Sequence, residues 1–202
     1  MTAKKSRMRA LLLPGLGLGI GCLILSGCQL PWGSGRAGGQ AQTAIELWDA
    51  YGQAQAAAQA EARDAQLVSA STQWQDADQG TLVTGADDWS FVFWSADTKH
   101  VLDVVVNAGS ARVVNQTQVW VTPTVLTGEV WRQGPRDALL VFLAYDGRAF
   151  LSEHPGAVVG LHLSEEESEG PAWTITALDV SDQSLLALVI DASTMQVLSV
   201  SP

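Results

Sequence analysis

Residues 89–94 read Trp-Ser-Phe-Val-Phe-Trp, and 84 positions further on, residues 173–178 read Trp-Thr-Ile-Thr-Ala-Leu. Both are rich in aromatic or β-branched residues, the composition of a strand with one face buried. In the first, Trp89, Phe91 and Phe93 share one face while Val92 and Trp94 share the other, so one of these faces should meet a helix. The same offset of 84 links Val105 with Val189, Asn107 with Asp191, and Val114 with Leu198. Four correspondences at one offset, each at the same point in the order of elements, mark a diverged tandem repeat.

Working outward from these strands, each half reads as a helix followed by antiparallel strands, which gives an α+β fold. In the first half, Thr43-Ala44-Ile45-Glu46 has the capping-box form, and Ile45, Trp48 and Tyr51 follow at three-residue spacing. An alanine-rich helix is expected to about Ala65, then a strand from Leu67-Val68. A polar turn at Asp76–Gly80 leads to Leu82-Val83, followed by strands at residues 89–94, 101–106 and 112–114. In the second half, Gly134-Pro135-Arg136-Asp137 looks like a helix start. The helix is expected through Tyr145, with Asp146-Gly147 as its breaker and Pro155 as the stop. Strands follow at residues 158–163, 173–178, 185–190 and 197–200, with an acidic loop at Glu165–Gly170. The connection before the tryptophan is longer in the first half: 21 residues separate Val68 from Trp89, against 14 from Val159 to Trp173. The expected boundaries are a first module at 43–117, a linker at 118–133 in which Val119-Trp120-Val121 could extend the sheet, and a second module at 134–202. Modules of about 80 residues without disulfides are near the lower end of single-domain stability, so the two are expected to pack together.

The second half resembles a PepSY module, a small cystatin-like domain in which one helix packs on a curved antiparallel sheet. The resemblance is carried by Asp137-Ala138-Leu139, Pro155-Gly156-Ala157, Trp173-Thr174-Ile175 and Leu188-Val189-Ile190-Asp191-Ala192-Ser193-Thr194. Met195 stands where the family pattern has glycine, and the first half is more degenerate, with Asn107-Ala108-Gly109 at the turn. The resemblance implies two tandem cystatin-like modules, as in bacterial lipoproteins of this type. It also implies an envelope role as a peptidase inhibitor or regulator. Its motifs are structural and imply no chemistry.

The N-terminus implies a compartment. Lys4, Lys5, Arg7 and Arg9 precede an apolar stretch, Ala10 to Leu25, that Pro14 and four glycines interrupt. At 16 residues it is short for a membrane span and has the layout of a secretory signal. Leu25-Ser26-Gly27-Cys28 resembles the lipobox of bacterial lipoproteins, which implies cleavage between Gly27 and Cys28 and lipid on the Cys28 thiol. Residues 28–42, rich in glycine, read as a flexible tether. The expected location is a cell or outer membrane, lipid-anchored and facing away from the cytoplasm. Of the two cysteines, Cys22 lies in the leader, so the processed chain has no internal disulfide and no cysteine-based metal site. Residues 1–27 contain four of the eleven basic residues and no acid, which leaves seven basic against 21 acidic residues and a charge of −14. Such a surface repels nucleic acid and anionic headgroups.

No catalytic constellation can be assembled from the sequence. His100, His154 and His162 are scattered, and no paired-histidine motif, nucleophile elbow, phosphate loop or dinucleotide fingerprint is present. His162 with Glu165 and Glu166 is better read as a strand residue before a solvated acidic loop than as half a metal site. No cofactor and no metal are expected. Trp48, Trp89 and Trp173 read as core residues, which leaves Trp94, Trp120 and Trp131 as the candidate binding surface. The expectation is a non-catalytic, membrane-tethered module that binds or regulates an envelope protein or peptide, a peptidase first of all. The alternatives are an envelope hydrolase with carboxylates meeting between the repeats, and a structural envelope protein.

Overall fold

A computed structural model describes residues 44–127, 133–166 and 170–201. The signal segment, Gly27, Cys28, the tether, Thr43 and Trp131 lie outside the described residues, as do residues 167–169 of the acidic loop. The fold is α+β, with eight antiparallel strands in a single sheet ordered β4-β3-β2-β1-β5-β6-β7-β8. The elements of the first half are α1 (Leu47–Glu61), β1 (Gln66–Trp74), α2 (Gln79–Thr84), β2 (Asp88–Ser95), β3 (His100–Asn107) and β4 (Ser110–Gln118). Those of the second are α3 (Pro135–Phe142), a π-helical turn at Leu143–Gly147, α4 (Arg148–Glu153), β5 (Val158–Glu166), β6 (Gly170–Asp179), β7 (Ser184–Asp191) and β8 (Val197–Ser201). Each half is a helix followed by a four-stranded meander, and the halves meet where β1 pairs antiparallel with β5.

The offset of 84 holds in the hydrogen-bonded register. Trp89 pairs with Val106 and Phe91 with Val104, as Trp173 pairs with Ile190 and Ile175 with Leu188. It fails at the outer strands. Val114 and Leu198 are both extra residues of a β-bulge, but Val114 lies opposite Asp103–Val104 and Leu198 opposite Val189–Ile190. The strict offset would place Leu198 opposite Ala187–Leu188. The cause is the last turn. Asn107 pairs directly with Ser110, whereas the Asp191 N–H reaches Gln196 O at 2.9 Å across a turn two residues longer. In that turn Asp191 Oδ1 accepts from the N–H groups of Ser193 (2.8 Å) and Thr194 (2.7 Å). Met195 sits at φ 59°, the left-handed conformation that glycine adopts without cost.

Both helical segments pack on one face of the sheet, because a single core cluster joins Leu47, Ala50, Ala54 and Ala58 of α1 with Leu139 and Phe142 of α3 and with alternate strand residues. The α1 stripe is mostly alanine, so the helix lies close over β2, β3 and β4. The face formed by Trp89, Phe91 and Phe93 is the one that meets the helix. The Tyr51 ring lies 6.2 Å from Phe91 and 6.3 Å from Phe93, centroid to centroid.

Four local expectations are corrected. Helix α1 begins at Leu47, not near Thr43, because the Ile45 N–H bonds to Ala86 O at 2.9 Å and holds that residue extended. With the helical face thus set by Leu47 and Ala50, Trp48 points outward and is 45% exposed, so it is no core residue. The turn foreseen at Asp76–Gly80 runs into α2, whose capping box is Asp78–Thr81: Asp78 Oδ1 accepts from Thr81 N at 2.7 Å, and Thr81 Oγ1 from Asp78 N at 3.0 Å. This short helix fills the longer connection of the first half. Asp146-Gly147 does not break the second helix, which passes through the π-helical turn into α4. Gly147 is needed there because a Cβ would lie 2.5 Å from the Phe142 ring.

Candidate functional site

The β1–β5 seam is a pseudo-twofold axis. Phe91 and Ile175 are equivalent, and they pair with Ala70 and Leu161, so Ala70 corresponds to Leu161 and Ser71 to His162. Ser71 and His162 are also directly paired across the seam. Each residue of that pair therefore faces its own counterpart. Strand alternation turns both side chains away from the helices, onto the open face of the sheet.

A concave groove of about 410 Å³ lies on that face, centred on the seam and lined by Ser71, Gln73, Ser90, Gly160, His162, Thr174 and Thr176 with their neighbours. Hydroxyls, one amide and one imidazole line it, and Asp88 is the one carboxylate among its lining residues. Ser90 and Thr174 stand at equivalent positions, 84 apart. Thr72, on the helix side of β1, donates its Oγ1–H to Asp88 O at 2.7 Å and ties the rims of β1 and β2 together. At Gly160 a Cβ would meet nothing nearer than Thr176 O at 4.0 Å, so the groove has room for a side chain there.

A second cleft, of about 670 Å³, opens beside α2 and is lined by Trp74, Asp78, Thr84, Asp87 and Asp88 among others. Trp74 is largely buried and donates its Nε1–H to Gly85 O at 2.9 Å, so it offers little aromatic surface. The Asp78 carboxyl titrates below its ordinary range because the Thr81 N–H holds its charged form. These acids belong to the first half alone. The acids expected of a hydrolase were to meet between the repeats.

Of the tryptophans expected at a binding surface, only Trp94 and Trp120 are among the described residues, and Trp94 is not at the surface. Trp94 is on the open side of β2 but only 5% exposed, buried beside β1 and β3, where it pairs with Gln66 and Val101. Trp120 is 89% exposed just beyond β4, and Trp131 lies outside the described residues. Val119 extends the β3–β4 pairing by one hydrogen bond, to Lys99 O at 3.0 Å, after which Trp120 and Val121 leave the sheet. The foreseen linker is also more than a spacer. Leu126 is buried in the core, and its N–H bonds to Leu67 O at 2.7 Å. Of the histidines, His162 enters the groove, His100 begins β3, and His154 caps α4. The groove could not be read from the sequence, since Ser71, Ser90, Thr174 and Thr176 form no motif. The signal that existed was the polar residue between apolar ones in β5 and β6.

The sequence matches no protein-family model and no curated protein. A crystal structure of a candidate lipoprotein from Clostridium difficile 630 aligns over 75% of this chain and 91% of its own length, at 14% identity and a TM-score of 0.42. That likeness is too slight to transfer fold or function. No helix among the described residues is long and apolar enough to cross a membrane.

Proposed function

We propose that the protein is a lipid-anchored envelope module, non-catalytic, that binds a polypeptide partner in the groove across the β1–β5 seam. The observation that carries this reading is the groove itself, a concave strip of hydrogen-bonding side chains, mostly hydroxyls, contributed by both halves. Hydroxyl and amide groups of this kind suit the backbone amides of an extended chain. Anchoring through Cys28, and the description of the halves as two PepSY-like modules, rest on the sequence motifs and on the repeated order of helix and four strands. A peptidase is the partner class that the PepSY resemblance favours.

The test is co-purification of the full-length protein from its native envelope in mild detergent, with companions identified by mass spectrometry. The Gly160→Tyr variant is carried in parallel. It fills the groove from a position with free space and leaves the core untouched. A companion that follows the wild type stoichiometrically and is lost from the variant, at unchanged thermal stability, supports the proposal. A companion retained equally by both, or none with either, overturns it.

A further inference from the structure

Away from the groove, His154 at the end of α4 faces two carboxylates from the end of β6 and the turn after it. Its Nδ1 lies 3.2 Å from Asp179 Oδ2 and 3.3 Å from Asp182 Oδ2, and the three residues each offer a ligand atom within 4.8 Å of the others. We propose that these three side chains bind one divalent transition-metal ion, Zn²⁺ fitting best, with a fourth position open to water or an anionic ligand. A charge-assisted N–H···O bond is about 2.7–2.9 Å long, and a ring nitrogen carries one hydrogen, which cannot serve two carboxylates well. Ligand atoms about 2.0–2.1 Å from a tetrahedral ion are instead about 3.3 Å apart along each edge, as both nitrogen–oxygen distances here are.

The surrounding bonds leave the ligand atoms available. Asp179 Oδ1 accepts from Ser181 N (2.8 Å) and Ser181 Oγ (2.6 Å), and Asp182 Oδ1 from Ser184 N (2.9 Å). In both residues the outer oxygen is fixed and Oδ2 is turned to the histidine, the way outer-shell partners orient metal ligands. The Phe150 ring lies 4.4 Å from the imidazole, centroid to centroid, and restricts its rotation. The His154 and Asp179 side chains are 15% and 14% exposed and Asp182 50%, so the site is open on one side. An imidazole beside two carboxylates selects zinc-like ions over calcium or magnesium, which favour all-oxygen sets. His154 lies 25 positions before Asp179 and 28 before Asp182, and no short motif announces such a set.

Zinc binding is measured on the full-length protein in detergent by equilibrium dialysis with metal quantification at pH 7.5, and thermal midpoints are recorded with and without Zn²⁺. The expected result is one saturable equivalent that raises the wild-type midpoint. Asp182→Asn, in a half-exposed turn, folds as the wild type and weakens binding by at least about tenfold. His154→Asn abolishes binding, and Glu61→Gln, a distant surface control, leaves it unchanged. Absence of saturable binding overturns the proposal, as does equal binding by Asp182→Asn. A midpoint insensitive to Zn²⁺ but lowered by His154→Asn reduces the cluster to an ion pair and overturns it too.

Discussion

Ser95 has no exposed surface, yet it is polar, and its hydroxyl donates to Asp64 Oδ1 at 2.6 Å while accepting from the Thr98 N–H at 3.2 Å. Asp64 Oδ2 accepts from the Asp97 N–H at 2.9 Å, so one carboxylate joins the α1–β1 corner to the β2–β3 turn. The Ser95 hydroxyl first, and the Asp97 N–H second, hold the Asp64 carboxyl below its usual range. A depressed folded value adds stability above the unfolded carboxylate range near about 4 and loses it as the pH falls through the folded value. Ser95→Ala is therefore expected to lower the urea midpoint more at pH 7 than at pH 3, and equal losses at both would show that the carboxylate is not involved. A second comparison uses the repeat. Trp89 donates its Nε1–H to Ile45 O at 3.1 Å, whereas the buried Nε1–H of Trp173 has no partner among the described residues. Trp89→Phe is expected to cost about 1 kcal/mol more than Trp173→Phe in denaturant unfolding, since only the first breaks a bond. That both tryptophans lie in the core was legible from strand periodicity; which indole would be satisfied was not, because the acceptor lies 44 residues away.

Among the elements, the strands were the most legible, since alternation of aromatic and β-branched residues is a local property. The α1 boundary was not, because Thr43 to Glu46 carries capping-box residues while a tertiary bond from Ile45 to Ala86 decides the outcome. Nor was α2, whose six residues are too few to show periodicity; Asp78 and Thr81 alone could have signalled it. The breaker read at Gly147 was a glycine serving contact. Gly147→Ala is expected to destabilise the protein by about 1–3 kcal/mol through the clash with Phe142, in the range of overpacked cores. Phe142→Leu in the same chain should recover part of the loss. A Gly147→Ala variant as stable as the wild type in thermal unfolding would show that the ring is free to move aside.

At the scale of the molecule, the repeat was visible as an offset, but the way its halves join was not. Nothing in residues 66–74 or 158–166 states that these two strands pair with each other, since both carry the apolar alternation of any central strand. Sharing one sheet relieves each half of an edge. Removal of the first half would leave β5 with its ladder groups unpaired beside the apolar row Val159, Leu161 and Leu163. A chain of residues 134–202 is expected to associate through β5 of two copies, each replacing the missing β1, and to sediment as a dimer. A folded monomer at the same concentration would show that the seam is dispensable.

The pairing of Ser71 with His162 has one more consequence. A groove lying on a true dyad looks the same to a chain entering from either end, and so cannot tell its head from its tail. Here each half has changed its own copy of the lining: serine on one strand answers imidazole on the next, and Ser90 answers Thr174. The fused repeat has given a symmetric cradle a sense of direction, so that an occupant reversed end for end would meet a different order of donors and acceptors.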